Sequence, residues 1–504
     1  MTARDPLARA RSQGLWTLIA TFVPGAYGLA VASYLLHTLP ADLYAIWAIS
    51  LAVVGWLTLL DAGLASTIVR ESARSLVGDH PARARVQAAN SVYQGLGALA
   101  LGIGAVAALV VPALLGADGA SAQVGTVVAI LLVADFAVVL ATAAWTGLLR
   151  GAGRFDLLVL VNVVQVAVAV PLFAVLVPAL GIIGAAAAQL SGRLVARVVL
   201  AYLVRRQVDW FHLMPRRTSR HDFLRLMSFT LPIFGMQVAT QVGMGTDVFV
   251  VGAVWGATAV GMYASGSQLI RYLGQFLFPA VNVVLPAFSS SDYLDARRTP
   301  ELLTRTLLPV TAIGVAVFLG IAANADAVMG FWVGEASALG TGVLIAYAIV
   351  FTLIAPAHLV TLMLIARGQH AVIGAVVFAE SVVNLGLSIV LVNVLGPIGP
   401  AISTLVVVGT DDLVVIPLLA SSRLPIRASA IWSRMLAGYL VGGAIVAGSQ
   451  LIPAGQELNL IARVGVEAVL LAGVLWYALR PISGETTPSA SKPNNPRVGG
   501  DRSL

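Results

Sequence analysis

Arg271 stands near the middle of a long apolar stretch, Val260 to Pro286, and no other residue in the sequence asks more for a chemical explanation. At 1.5 Å per helical residue that stretch crosses a hydrocarbon core of roughly 30 Å, which puts the arginine near mid-membrane. A guanidinium there costs at least roughly 2.5 to 3.5 kcal/mol, so it must face water, an acid or an anionic ligand rather than lipid. Tyr263, Ser267, Arg271 and Gln275 recur at i, i+4 spacing and would form one polar stripe on a helix.

Two chemistries are open to such an arginine: an internal ion pair with Asp247 of the preceding segment, or a cationic point in a cavity that receives an anion. The second is the expectation, because intramembrane charges are functional by default. Gln237, Thr240 and Gln241 on the preceding segment, with Gln268 on its own, add the amide and hydroxyl groups that a polar ligand needs. Asp247, with Thr240 seven residues earlier on the same face, either pairs with Arg271 or takes a coupling cation. Asp61, at the end of the second apolar span, is read as a gating or coupling group held by Arg70 or Arg74. Glu380 is expected to be protonated or hydrogen-bonded, and Asp135, Asp411 and Asp412 to lie away from the cavity.

The elements that position these residues are membrane helices. The chain has 504 residues, 59% hydrophobic and 11% charged, with a mean hydropathy of +0.92, which excludes a soluble enzyme. Its net charge of +7 is carried mainly by loops and so does not point to nucleic acid. There is no cysteine, and the six histidines lack ligand spacing. No metal site and no cofactor is expected.

Apolar spans run from Leu15–Leu36 to Leu460–Leu479 and imply an all-α, polytopic membrane protein of about fourteen transmembrane helices. Arginines gather in alternate connections: Arg70, Arg74, Arg83 and Arg85 after the second span, Arg205 to Arg220 after the sixth, and Arg423 to Arg434 after the twelfth. Arg463 is the one basic exception on the other side. By the positive-inside rule both termini are cytoplasmic and the outer loops are all short.

The expected organisation is an N-terminal segment (1–14), a first six-helix lobe (15–204), a basic cytoplasmic linker (205–225), a second six-helix lobe (226–421), two further helices (422–480) and a disordered tail (481–504). A repeat supports the lobes. GRFDLLVLVNVVQVAVAVPLFAVLVPALGIIGAAAAQL from Gly153 aligns without gaps on GQHAVIGAVVFAESVVNLGLSIVLVNVLGPIGPAISTL from Gly368, with Gly181 on Gly396 and Gly184 on Gly399. Parallel repeats of even helix number are related by a pseudo-two-fold axis along the membrane normal, with the site between them.

Three segments carry a family resemblance: YAIWAISLAVVGWLTLLDAGLASTIVRESAR (Tyr44–Arg74), LLRGAGRFD (Leu148–Asp156) and TDVFVVGAVWGATAVGMYASGSQL (Thr246–Leu269). They resemble polysaccharide transporters of the multidrug/oligosaccharidyl-lipid/polysaccharide exporter superfamily, in order and spacing over most of residues 10–420. The resemblance implies an inner-membrane flippase, not an enzyme. It would move a polyprenyl-diphosphate-linked oligosaccharide to the outer leaflet by alternating access, for a surface polysaccharide such as O-antigen or exopolysaccharide. Helices one, two, seven and eight would line the cavity, and Arg271 falls on the eighth. The expected partners are the lipid-linked substrate, membrane lipids and a coupling H+ or Na+, the chain acting as a monomer or beside polysaccharide polymerase machinery.

Fourteen helices also resemble the superfamily's lipid II flippases, but the arginines those carry in the first helix are missing, since Arg4, Arg9 and Arg11 precede the apolar run. A cation-coupled multidrug antiporter is the other alternative and calls for acidic cavity groups. A membrane polymerase or ligase would need a large outer loop. No G-x-x-x-x-G-K-[ST] loop occurs, so ATP is not the direct driver.

Overall fold

A computed structural model describes residues 6–61, 63–76, 78–114, 120–216, 234–235, 237–243, 245–281, 298–334, 337–452 and 462–470. Among them every regular element is a helix, and there is no strand. Hydrocarbon offers no hydrogen-bonding partner, so each backbone group must pair within its own helix. The order is α1 (Pro6–Thr38), α2 (Ala41–Leu57), α3 (Leu64–Leu76), α4 (His80–Leu114), α5 (Ala120–Ala141), α6 (Ala143–Gly151), α7 (Phe155–Leu180), α8 (Ile182–Gln207), α9 (Asp247–Val281), α10 (Arg298–Ala323), α11 (Ala325–Val333), α12 (Ala338–Ala366), α13 (His370–Val394), α14 (Gly399–Thr410), α15 (Ile416–Arg423) and α16 (Ala428–Ser449). The described part of α1 begins at Pro6, ahead of the apolar run from Leu15.

Eleven helices of the described residues are long and apolar enough to cross a membrane. One of them, Gln237–Phe278, is 42 residues long, about twice what one crossing needs. It contains a reversal. The 16 positions from Asp247 to Tyr263 would span about 24 Å in a straight helix, yet the Tyr263 hydroxyl donates to the Asp247 carboxylate at 3.1 Å. The turn is at Gly256, whose φ of 73° is open to glycine at little cost. The expected seventh and eighth spans are therefore the two limbs of one hairpin.

Two expected spans are interrupted. Tyr44–Val69 divides into α2, a 3-10 turn over Thr58–Asp61, and α3, with Gly63 at φ 78° in the break. Val124–Leu149 divides into α5 and α6 at Thr142, whose hydroxyl donates back to the Val138 carbonyl at 2.7 Å. The two short helices then pack on each other through Gly147 and Gly151; a Cβ on Gly147 would lie 2.4 Å from Ile68. Hydropathy does not register such breaks because their residues stay apolar.

The glycine register of the repeat reappears as geometry. Gly153 and Gly368 both take positive φ (68° and 77°), as do Gly181 and Gly396 (58° and 75°). A Cβ on Gly184 would lie 2.1 Å from the Leu176 carbonyl oxygen, and one on Gly399 would lie 2.3 Å from that of Leu391. Leu176 and Leu391 are themselves partners in the alignment. The α7–α8 and α13–α14 pairs thus close over equivalent glycines.

Apolar side chains also cover the outside: Val106, Leu109, Val175, Val198 and Leu440 are all more than 60% exposed. On a soluble chain such a surface would aggregate; here it is what lipid requires. After α8 the start of the basic connection packs on α4. Gln87, Asn90 and Gln94 of α4 donate to the carbonyls of His212 and Leu213 and hold it against the helix. The remainder of that connection, residues 217–233, and the tail expected to be disordered, 481–504, lie outside the described residues.

Candidate functional site

A cavity of about 350 Å³ lies between α2, residues 240–245 and the second limb of α9. Its polar lining is Thr240, Gln241, Gln268, Arg271, Tyr272 and Gln275; its apolar floor includes Ala48, Leu51 and Ala52 of α2. Five of the expected ligand-binding residues therefore meet in one place. Among the described residues the lining has a guanidinium, three amides and two hydroxyls, and no carboxylate. That balance favours an anion or a hydroxyl-rich ligand over a cation.

Local packing explains how Arg271 is presented. One of its Nη groups donates to the Ser267 hydroxyl at 3.3 Å, and its guanidinium carbon lies 5.9 Å from the centre of the Tyr347 ring, within range of a cation–π contact. Gln268 is braced on both sides: its Oε1 accepts from the Tyr44 hydroxyl at 2.5 Å and its Nε2 donates to the Tyr272 hydroxyl at 3.0 Å. Helix α1 seals this limb through small residues. A Cβ at Gly25 would lie 2.5 Å from the Phe276 ring, and one at Gly28 would lie 3.2 Å from that of Tyr272.

The expected polar stripe divides in two. Arg271 and Gln275 reach the cavity, whereas Tyr263 and Ser267 are fully buried. Asp247 is buried as well, and hydroxyls surround it: Tyr347 at 2.8 Å, Tyr263 at 3.1 Å, and Ser388 and Thr404 at 3.3 Å each. Tyr347 stands between Asp247 and Arg271, its hydroxyl on the acid and its ring under the base. Asn384 completes the cluster by donating to the Gly243 carbonyl at 2.7 Å, while Ser403 donates to its Oδ1 at 2.7 Å. Gln237 does not line the cavity; its side-chain oxygen is buried without a hydrogen-bond partner.

Asp61 and Arg70 are not together. Tyr93 donates to Asp61, while Arg70 lies 3.4 Å from Glu71 and Arg74 lies 2.9 Å from Asp79. Of the buried acids away from the cavity, Asp412 has one carboxylate oxygen buried without a hydrogen-bond partner among the described residues, while two others are held. Asp135 is held by Arg193 at 2.9 Å and Gln189 at 3.2 Å, and Glu467 accepts from Ser449 at 2.7 Å. Arg463, the exception to the charge rule, is tied to Asn324 at 2.5 Å and Gln450 at 2.8 Å. Tyr44, Tyr272, Tyr347, Ser388 and Thr404 were not singled out by sequence. Their roles come from contacts between distant segments, and the one local signal is a hydroxyl inside an apolar run.

The family described as "Polysaccharide biosynthesis protein" matches residues 12–292. No curated protein sequence matches the chain. Among solved structures, "Lipid II flippase MurJ, inward closed conformation" is similar at a TM-score of 0.69 and 13% identity, over 92% of this chain and 98% of that one. An inward-facing multidrug resistance MATE family transporter of the MOP superfamily is similar at 0.60 and 17%, over 85% and 96%. A MOP superfamily transporter from Pyrococcus furiosus, described as having a binding pocket of reverse polarity, is similar at 0.55 and 17%, over 88% and 97%. At these identities the likeness shows a shared fold and no more.

Proposed function

We propose a lipid-linked oligosaccharide flippase, starting from the fact that this chain belongs to the polysaccharide biosynthesis protein family. The substrate would be a polyprenyl-diphosphate-linked oligosaccharide, carried from the inner to the outer leaflet of the cytoplasmic membrane, with both termini cytoplasmic. The observation that carries this reading is the cavity lining: one arginine with amides and hydroxyls, and no acid among the described residues.

A diphosphate cannot enter hydrocarbon unaided, so a carrier must offer it a wet, positively biased cavity while the polyprenyl tail stays in lipid. Arg271 supplies a planar fork that suits phosphoryl oxygens. Gln241, Gln275 and Thr240 supply donors and acceptors for sugar hydroxyls. The cavity lies where α2 meets the α9 hairpin, so rocking of the first part of the chain against the second would open it to either side in turn. The hydroxyl cluster on Asp247 ties α9, α12, α13 and α14 together and borders Arg271 through Tyr347. A coupling H+ or Na+ taken up by Asp247 would alter the support of Arg271, linking the ion to anion binding.

A strain lacking the gene, complemented with wild type or Arg271→Gln, tests this. Lipid-linked oligosaccharide should accumulate on the inner leaflet in the deletion, and wild type should clear it while Arg271→Gln does not. An unchanged surface glycan together with heightened drug sensitivity would transfer the protein to the multidrug antiporters. The fold shared with a lipid II flippase supports a second reading; lysis and accumulation of lipid II on depletion would establish that one instead.

A further inference from the structure

A second and larger cavity, about 500 Å³, lies wholly within the first two hundred residues, among α1, α3, α5, α6, α7 and α8. Its charged groups are Arg150 and Arg197, its neutral polar groups Thr146 and Asn162, and the rest of its wall is mainly apolar, with Phe155 and Leu158 among it. No carboxylate lines it among the described residues.

The state of Arg197 is unusual. Arg193, one turn earlier on α8, is fully engaged: its Nε and Nη2 donate to Asp135 at 2.9 and 3.2 Å, and its Nη1 donates to Gln165 at 2.7 Å. Asp135 is thereby spent, with Gln189 also on it. Arg197 donates from Nη1 to the Thr146 hydroxyl at 3.3 Å, a long bond to a neutral group. Its Nε is buried with no partner. Asn162 directs its amide to the Ala20 carbonyl at 2.9 Å, which leaves its oxygen as a polar edge of the cavity. Asp61 interacts electrostatically with Arg150, and Tyr93 already donates to it. A guanidinium inside a membrane protein is normally neutralised by an acid or faces a ligand. Here Arg193 is neutralised by Asp135, and Arg197 on the same helix lines the cavity.

We infer that this cavity is a second binding site, for the phosphoryl group of an anionic lipid, with Arg197 and Arg150 as its ligands. Arg197 lines the cavity, and the planar fork of a guanidinium is matched to phosphoryl oxygens. Arg150, at the end of α6, closes the site from the opposite helix, and the apolar wall accommodates the first part of an acyl or prenyl chain. The volume is that of an ordinary small-molecule pocket. The site shares no lining residue with the central cavity, so it stands whether or not that cavity carries an oligosaccharide.

Delipidated protein in detergent, studied by native mass spectrometry, tests the inference with three probes: phosphatidylglycerol, a polyprenyl monophosphate and inorganic pyrophosphate. Wild type should retain at least one of the two amphiphiles, and whichever it retains identifies the source of the phosphoryl group. Arg197→Gln should weaken that retention about tenfold or more, the effect of losing one charge-assisted hydrogen bond. Pyrophosphate should compete, because the head group alone meets both arginines. Arg206→Gln, a charge loss at the end of the same helix, should change nothing. If Arg197→Gln does not fold, Arg150→Gln carries the same expectation, since its exposed side chain supports no packing. Retention of neither amphiphile, or retention equal in wild type and both arginine variants, would overturn the inference.

Discussion

Tyr347 offers the sharpest test of the reasoning about Asp247. Its hydroxyl donates to Oδ2 at 2.8 Å, Tyr263 donates to the same oxygen at 3.1 Å, and the two hydroxyls are 3.2 Å apart. Both tyrosines are fully buried, so water cannot replace a missing donor. A neutral hydrogen bond between membrane helices averages about 0.6 kcal/mol, whereas one to a charged group is worth about 1.5 to 3 kcal/mol. Tyr347→Phe should therefore cost about 1.5 to 3 kcal/mol in equilibrium unfolding from mixed micelles, and Tyr263→Phe somewhat less. Because the pair share one acceptor, the double variant should cost more than the sum of the singles, by at least about 0.5 kcal/mol. Additive costs, or a Tyr347→Phe protein within about 0.5 kcal/mol of wild type, would mean that the hydroxyls pack beside the acid without holding it.

Gly266 packs backbone to backbone: a Cβ there would lie 2.2 Å from the Gly340 carbonyl oxygen and 2.9 Å from the Leu344 nitrogen. Gly266→Ala should cost about 1 to 3 kcal/mol by overpacking α9 against α12, and an unchanged melting temperature would refute that fit. Breaking the buried Arg193–Asp135 pair by Arg193→Met alone should destabilise by about 3 to 5 kcal/mol, and adding Asp135→Leu should restore most of it; no recovery in the double variant would count against the pairing. At the start of α4, Asp79 accepts from the Ala82 N–H at 3.0 Å. That bond, and then Arg74 and Arg85, hold its carboxyl below the usual range. A depressed folded value gives stability that is present above the unfolded value, about 3.9, and is lost as pH falls through the folded one. Hydrogen-exchange protection at the α4 N-terminus should therefore drop in acid and become insensitive to pH in Asp79→Asn; a variant that keeps the wild-type acid response would rule the cap out.

Much of the cavity was legible in the sequence because charge inside an apolar run has few physical outlets. Arg271, Gln275, Gln268, Gln241 and Thr240 could be gathered from spacing and hydropathy alone, and all five line one cavity. Tyr263 and Ser267 share the same helical face and yet are buried, because periodicity says which residues lie together and not what covers them. Asp247 was visible as an intramembrane acid. Its four hydroxyl partners were not, since three of them come from segments at least 100 residues away.

The sequence by itself determined the class, the alternation of basic loops and the glycine register of the repeat. Each follows from a short-range or compositional rule: the hydrophobic length of a bilayer, the siting of arginine, and the backbone freedom of Gly153, Gly181, Gly368 and Gly396. Tertiary structure alone decided which polar groups neutralise one another. Arg193 and Arg197 are one turn apart on the same helix and equivalent by pattern. Only the packing of α5 against α8 gives Asp135 to Arg193 and leaves Arg197 facing a cavity, because an ion pair depends on the distance between segments that the local sequence does not encode.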